Sequence, residues 1–217
     1  MIKSLVFLGL AILLCGAQAQ TPESITKAQD SLSTLYRVSG EGMGRASILR
    51  GVMNIDIYNR IADVRVAYNT LGLDTTNLDT LEATWKATFI NDLATLENLT
   101  IEGLQQTALV NEDLTVNLDA SLQLHLVSMI ANLNAVDQAY QLASLHITQA
   151  FAEFEAELTT SMTGQTGQPV IDAFVAMQRG IDLVTLQHAV DDELTQVVDW
   201  RARQAIADVQ AVISQLP

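Results

Sequence analysis

The chain has 217 residues and is strongly acidic, because 25 aspartates and glutamates outweigh 11 lysines and arginines to give a formal net charge of −14. Between Ala87 and Gln178 it carries eleven carboxylates and no lysine or arginine. A surface with this charge repels nucleic-acid phosphates and anionic lipid headgroups. The composition therefore predicts that nucleic acid is not a partner.

The first nineteen residues have the three parts of a secretory signal peptide. Lys3 provides the positive charge, the apolar run from Leu5 to Leu14 follows, and Ala17-Gln18-Ala19 forms a cleavage site. No later apolar run is longer than five residues, so no transmembrane segment is predicted. We expect residues 1–19 to be removed and residues 20–217 to be secreted into the extracellular space.

Cys15 is the only cysteine and leaves with the signal peptide, so the mature chain is expected to contain none. Secreted chains depend on disulfides chiefly when they are too small to build a core. A chain of this length buries about 70% of the surface that its unfolded form exposes. The sequence therefore predicts stability from packing alone and excludes a structural zinc site built on thiolates.

Apolar residues recur at spacings of three and four over most of the mature chain, which predicts an all-α protein. The first helix is expected to begin with Thr21 as its N-cap and Pro22 at its first position. It is expected to end in the glycine cluster Gly40, Gly42 and Gly44, which we interpret as a flexible corner.

The next two helices are predicted on either side of Gly72. The second helix runs from about residue 45 to Leu71, and Gly72 suits the left-handed conformation that ends many helices. The third begins near Thr76, and its apolar pattern weakens around Gly103.

Two long, coiled-coil-like helices are predicted in the C-terminal half. The fourth has alternating spacings of four and three, which supports a helix of about 40 residues. Its seam is Leu122, Leu126, Met129, Leu133, Val136, Tyr140, Ala143, Ile147, Ala150 and Phe154. After a break at residues 164–169, the fifth helix runs from Pro169 to the end of the chain. Its face begins with Val170, Phe174, Met177, Ile181 and Val184, and the pattern then shifts phase to Leu194, Val197, Ile206, Val209, Ile213 and Leu216.

One alternative applies to residues 114–126, where leucine and valine alternate with polar residues on both sides of Asp119-Ala120-Ser121, as in a β-hairpin. The second half of this stretch, from Leu122 to Leu126, also fits the 4-3 pattern, which continues far beyond it and favours the helix. Because a short connection forces two long helices to lie antiparallel, we predict an elongated antiparallel bundle of about five helices. This bundle is expected to form a single domain over residues 20–217.

The three histidines do not have the spacing of helical metal ligands. His125 and His146 are expected at the surface beside the seam of the fourth helix. His188 precedes the acidic residues 191–193, which could share a cation with it, although a solvated acidic patch is the favoured interpretation. We predict no metal site and no cofactor.

No motif for nucleophilic catalysis is present, since the mature chain lacks cysteine and contains no Gly-x-Ser-x-Gly. The glycine cluster is not a phosphate loop, because it lacks the Gly-Lys-Ser/Thr ending and Glu41 would oppose a phosphate. A triad assembled across helices would leave no trace in the sequence. We predict no catalytic residue and expect the protein not to be an enzyme.

Two further features concern the surface. Glu153, Glu155 and Glu157 alternate near the end of the fourth helix, where the helix dipole disfavours them, so a cation site is an alternative to the favoured solvated face. Asn98-Leu99-Thr100 is a glycosylation sequon, and a glycan at Asn98 would mark the end of the third helix as exposed.

The heptad seam and the absence of catalytic motifs favour a secreted, non-enzymatic interaction or structural protein. We expect a protein partner or self-association, the latter increasing as the pH approaches the isoelectric point of about 4.3. The alternative is a carrier of lipid or another hydrophobic small molecule. The scarcity of lysine and arginine beside the apolar faces argues against a carrier that binds lipid surfaces.

Overall fold

The computed structural model describes residues 22–117 and 120–215, apart from the side chains of residues 22, 54–56, 117, 187, 190, 191 and 194. The signal peptide predicted over residues 1–19 and the N-cap predicted at Thr21 lie outside these residues. Secretion, cleavage and the single domain over residues 20–217 therefore stay predictions.

The described chain is built from α-helices. α1 spans Pro22–Gly51, α2 Asn59–Leu71, α3 Thr76–Glu112, α4 Ala120–Ser161 and α5 Gln168–Ile213. Two π-helical segments, Val52–Tyr58 and Asp113–Asn117, follow α1 and α3. Residues 22–117 and 120–215 contain no β-strand, so the all-α prediction is confirmed. The hairpin alternative is wrong for the described part of residues 114–126, while Leu118 and Asp119 lie outside the description.

The predicted corner at the glycine cluster is wrong, because α1 continues through Gly40, Gly42 and Gly44. A Cβ atom on Gly42 would overlap with Thr100 Oγ1 and lie 3.2 Å from Val136 Cγ1. The absence of a side chain at Gly42 therefore allows α1 to pack closely against α3 and α4. The weak apolar pattern around Gly103 is likewise not a helix end, since α3 continues to Glu112.

The predicted helix ends at the two loops are confirmed. Gly72 has a φ of 69°, and its N–H group donates to the Asn69 carbonyl at the end of α2. Gly164 and Gly167 also have positive φ angles, of 79° and 104°, in the loop before α5. Positive φ strains residues with a Cβ atom, so glycine suits these positions. The fifth helix begins at Gln168, one residue before the predicted start.

The helices form two compact units. Among the described residues, the first unit combines 22–42, 98–117, 120–138 and 195–215, and the second combines 43–97 and 139–194. In the first unit, α1 and α5 lie antiparallel, since Ser31 contacts Asp208 at 2.7 Å and Ser24 contacts Gln215 at 3.4 Å. Its core comprises Ala28, Leu32, Leu35, Val110, Leu114, Leu122, Leu126, Met129, Ala205, Ile206, Val209, Val212 and Ile213.

The second unit is centred on large aromatic side chains. Trp85 and Phe154 form an edge-to-face pair with ring centroids 6.1 Å apart, and Tyr68 is fully buried. Trp85 Nε1 donates to Glu153 Oε2 at 3.0 Å, so α3 and α4 are joined by a hydrogen bond beside the aromatic pair. Burial of aromatic rings with satisfied polar groups makes a large contribution to packing energy.

The predicted seam of α4 is confirmed, because every member except Leu133 is buried and Leu133 packs partly buried against the core. The predicted face of α5 holds for Met177, Val184, Ile206, Val209 and Ile213, which are buried. It is wrong at Val197, whose side chain is 47% exposed. The side chains of Leu194 and Leu216 lie outside the description. Within the described residues, no helix is both long and apolar enough to cross a membrane.

Glu82 connects α3 to α2 and gives the fold an acid-sensitive contact. It accepts from Arg65 at 2.6 Å and also contacts Lys86 at 2.6 Å. Burial tends to raise the pKa of Glu82, but hydrogen bonds from Arg65 and Lys86 outweigh it and hold the pKa below its ordinary value. A carboxylate with a lowered folded-state pKa stabilises the fold above its unfolded-state pKa and loses this contribution as the pH falls through the folded-state pKa.

We therefore expect Glu82→Gln to lower the free energy of unfolding at neutral pH by about 1 kcal/mol or less, since the pair is partly solvated. The difference from the parent protein should stay constant down to about pH 5 and shrink below about pH 4.3. Urea unfolding at several pH values measures it, with Glu155→Gln as a matched exposed control. A difference that grows on acidification would contradict the expectation.

Candidate functional site

His125 of α4 is paired with a buried carboxylate. Its Nδ1 atom lies 2.6 Å from Asp113 Oδ2, and Ser121 Oγ donates to Asp113 Oδ1 at 3.0 Å. Asp113 is only 3% exposed, whereas the His125 side chain is 31% exposed. A carboxylate removed from water requires hydrogen-bond donors. The Nδ1–H group of His125 therefore supplies part of what water would otherwise provide.

His146 repeats this arrangement in the second unit. Its Nδ1 atom lies 2.8 Å from Oδ2 of Asp92, which is 8% exposed. Asp92 and Asp113 are three heptads apart in α3 and the segment that follows it, and His125 and His146 are three heptads apart in α4. In each unit, one aspartate and one histidine thus join the antiparallel helices.

Both histidines lie beside the apolar seam, as expected, and their side chains are 31% and 28% exposed, but their aspartate partners were not predicted. The matching three-heptad spacings were the available signal, because equal spacings in two antiparallel helices bring both pairs into register. Periodicity of apolar residues alone does not reveal this, since Asp92 and Asp113 are charged residues at buried positions.

Removing the imidazole should destabilise the fold. We expect His125→Ala to lower the free energy of unfolding by about 1–3 kcal/mol at neutral pH, because the buried Asp113 carboxylate loses a donor. In the background of Asp113→Asn the same substitution should cost less, since no buried charge is left. Urea unfolding of the two single variants and the double variant measures this coupling, and additive effects would contradict the assigned contact.

His188 was expected in a solvated acidic patch, but its closest described contact is different. Its Nε2 atom lies 2.6 Å from Ser144 Oγ, joining α5 to α4 in the second unit. A serine hydroxyl on a histidine is also the start of a nucleophilic site. Acyl transfer further requires donors for an oxyanion, and both residues lie in helix interiors where backbone N–H groups are already hydrogen-bonded. The geometry therefore favours a cross-helix contact.

The described residues contain no group of three or more histidine, cysteine, aspartate or glutamate side chains placed to hold a metal ion. The absence of a metal, a cofactor and an enzymatic activity stays a prediction.

The alternating glutamates of α4 have separate roles. Glu157 accepts hydrogen bonds from Ser161 at 2.7 Å and from the Tyr68 hydroxyl at 3.4 Å. Glu153 accepts from Trp85, while Glu155 is exposed. Two of the three carboxylates therefore accept hydrogen bonds from buried or half-buried donors of the second unit, while Glu153 and Glu155 are also exposed, as expected for a solvated face.

The candidate glycosylation site Asn98 lies in the middle of α3 rather than at its end. The Asn98 side chain is exposed, but Thr100, which completes the sequon, is 0% exposed. Transfer of a glycan requires access to the whole sequon, so we expect glycosylation of Asn98 to require that the chain has not yet folded. Whether Asn98 carries a glycan stays a prediction.

Large apolar side chains on the outer surface form the main candidate for an interaction site. α4 exposes Leu124 (68%) and Val127 (58%) in the first unit, and Leu142 (50%) and Leu145 (51%) in the second. The members of each pair are one helical turn apart, and α4 contains no lysine or arginine. Single exposed apolar residues are common, whereas groups of them mark surfaces that contact partners.

Comparison of the chain with protein-family models and with curated protein sequences finds no match.

Proposed function

We propose that the protein is a secreted, extracellular, non-enzymatic component that acts by packing the outer faces of its helices against a protein partner, including further copies of itself. The observation that carries the proposal is the exposure of the apolar pairs Leu124/Val127 and Leu142/Leu145 on a helix without lysine or arginine. Complete burial of one such side chain contributes about 1.5–3 kcal/mol. Each pair therefore offers a partner apolar area whose burial would favour association.

The experiment compares the mature chain with two variants by sedimentation velocity over a wide concentration range. Leu124→Ser with Val127→Ser should reduce the rise of average mass with concentration. Leu183→Ser with Leu186→Ser is the matched control, because these α5 residues have the same spacing and are 43% and 63% exposed. Equal effects of both variants would show that α4 has no special role, and a parent protein that stays monomeric would refute self-association.

Tryptophan emission of the mature chain distinguishes the proposed function from the alternative of a lipid carrier. Trp200 is 63% exposed and Trp85 is 4% exposed, so Trp200 reports on the surface. A carrier that binds lipid surfaces would shift the emission of Trp200 to shorter wavelength when neutral phospholipid vesicles are added, and the Trp200→Phe variant would lose this shift. Our proposal expects no shift with vesicles. A carrier with an internal site would instead bind a fluorescent fatty acid without a change in its oligomeric state.

A further inference from the structure

Two arginines of the first unit have no carboxylate partner among the described residues, although the chain is strongly acidic. Among the described residues, Lys27, Arg50, Arg60, Arg65, Lys86 and Arg203 form ion pairs. Arg37 of α1 and Arg201 of α5 are exposed and form no ion pair with another described residue. The same holds for Arg179 in the second unit. An unpaired arginine on a protein of charge −14 leaves its donors available to an external anion.

From the register of α1 and α5 we infer that these two arginines lie at similar levels along the first unit. Ser31 lies opposite Asp208 at 2.7 Å, and the helices are antiparallel. Extending this register by six residues, forward in α1 and back in α5, places Arg37 at about the level of Ala202, the neighbour of Arg201. Trp200 precedes Arg201 in the chain, and 63% of its side chain is exposed. We call Arg37, Trp200 and Arg201 the arginine–tryptophan patch.

The composition of this patch is that of a protein-binding site. Arginine and tryptophan are the residues most often found at the energetic centre of interfaces. The planar guanidinium binds a carboxylate through two parallel hydrogen bonds, and the indole ring offers apolar area. The complementary surface therefore carries an exposed carboxylate next to exposed aliphatic side chains and no cation.

The other helices of the same unit provide such a surface. In its described part, every lysine and arginine lies on α1 or α5, while residues 98–117 and 120–138 carry none. Glu112 is exposed and Leu124 and Val127 are 68% and 58% exposed. Glu112 and Leu124 directly precede Asp113 and His125, which are in contact, so both lie next to that contact. We call Glu112, Leu124 and Val127 the acidic face.

We propose that a second copy of this chain occupies the arginine–tryptophan patch, with the acidic face of one copy docked against Arg37, Trp200 and Arg201 of the next. The inference rests on the proposed function and names the partner and the two surfaces. A second copy is the inferred partner because the two surfaces are complementary in charge. In the described part of the first unit the cations lie on α1 and α5, whereas the acidic face lies on segments 98–117 and 120–138, which carry none. Because the two surfaces differ, the contact is heterologous, and copies add head to tail.

The test uses two variants, each of which inactivates one surface. Arg37→Glu with Arg201→Glu inactivates the patch, and Glu112→Gln with Leu124→Ser inactivates the acidic face without creating a cation that could pair with the new glutamates. Each variant alone should self-associate at least about tenfold more weakly than the parent chain in sedimentation velocity. Arg179→Glu, at the unpaired arginine outside both surfaces, is the matched control and should associate like the parent. Circular dichroism melts check that every variant is folded, as substitutions of exposed residues allow.

Mixing the two inactive variants is the decisive experiment. Each copy keeps the surface that the other lacks, so a 1:1 mixture should form dimers that cannot grow further. A mixture that stays monomeric, while the parent chain associates, would overturn the head-to-tail contact. Association of the patch variant at the parent's strength would also overturn the head-to-tail contact. The proposed function would still stand in that case if Leu124→Ser with Val127→Ser weakens association. A parent chain that is monomeric but binds another acidic protein through Trp200 would overturn the second copy as occupant.

Discussion

Replacing Phe154 with alanine is expected to lower the free energy of unfolding by about 3–5 kcal/mol, the largest effect of any single substitution considered. Phe154 is 2% exposed and meets Trp85 edge to face, with a centroid distance of 6.1 Å and an interplanar angle of 76°. Truncation removes the buried ring and its contact with the indole. It also leaves a cavity, which the surrounding structure closes only in part.

Urea unfolding followed by circular dichroism measures this loss. Phe154→Leu keeps most of the volume and should cost much less, about 1.5 kcal/mol or below. Leu145→Ala, at a residue of the same helix that is 51% exposed, should change stability by no more than about 0.5 kcal/mol. The emission of Trp85 should also move to longer wavelength in Phe154→Ala. A loss equal to that of Leu145→Ala would show that Phe154 is not in a packed core.

The helical class and the buried seam of α4 could be predicted from the sequence because both depend on spacing within one segment. Leu122, Met129 and Ile147 are buried for the same reason that they recur at every turn. Val197 shows the limit of this reasoning. It is apolar and fits the extended pattern of α5, but the phase of that pattern changes along the helix, so Val197 is exposed beside Trp200.

The contacts between helices could not be predicted in the same way. The pairs of His125 with Asp113 and of His146 with Asp92 depend on the register of α4 against the chain before it. The similar levels inferred for Arg37 and Arg201 depend on the register of α1 against α5. Register is set by how side chains interlock across the core, and a pattern within one helix does not contain it.

The glycine cluster gives the second prediction with a large effect, because two of its members should respond to the same substitution with opposite signs. Gly42→Ala places a Cβ atom against Thr100 and 3.2 Å from Val136 Cγ1. Rotation of the Thr100 hydroxyl does not relieve the overlap, since Thr100 Cβ is itself 3.2 Å away and Thr100 is 0% exposed. We expect a destabilisation of about 1–3 kcal/mol from overpacking.

Gly44→Ala should instead raise the free energy of unfolding by about 0.5–1 kcal/mol. Gly44 is exposed within α1 and has no atom within 4 Å of the position of a Cβ, so alanine only improves the helix propensity. Urea unfolding of the two variants separates the two roles of glycine. If both variants were destabilised alike, the cluster would be a corner after all. Equal stabilisation would mean that α1 does not approach α3 at Gly42, because only a close approach makes one methyl group costly there.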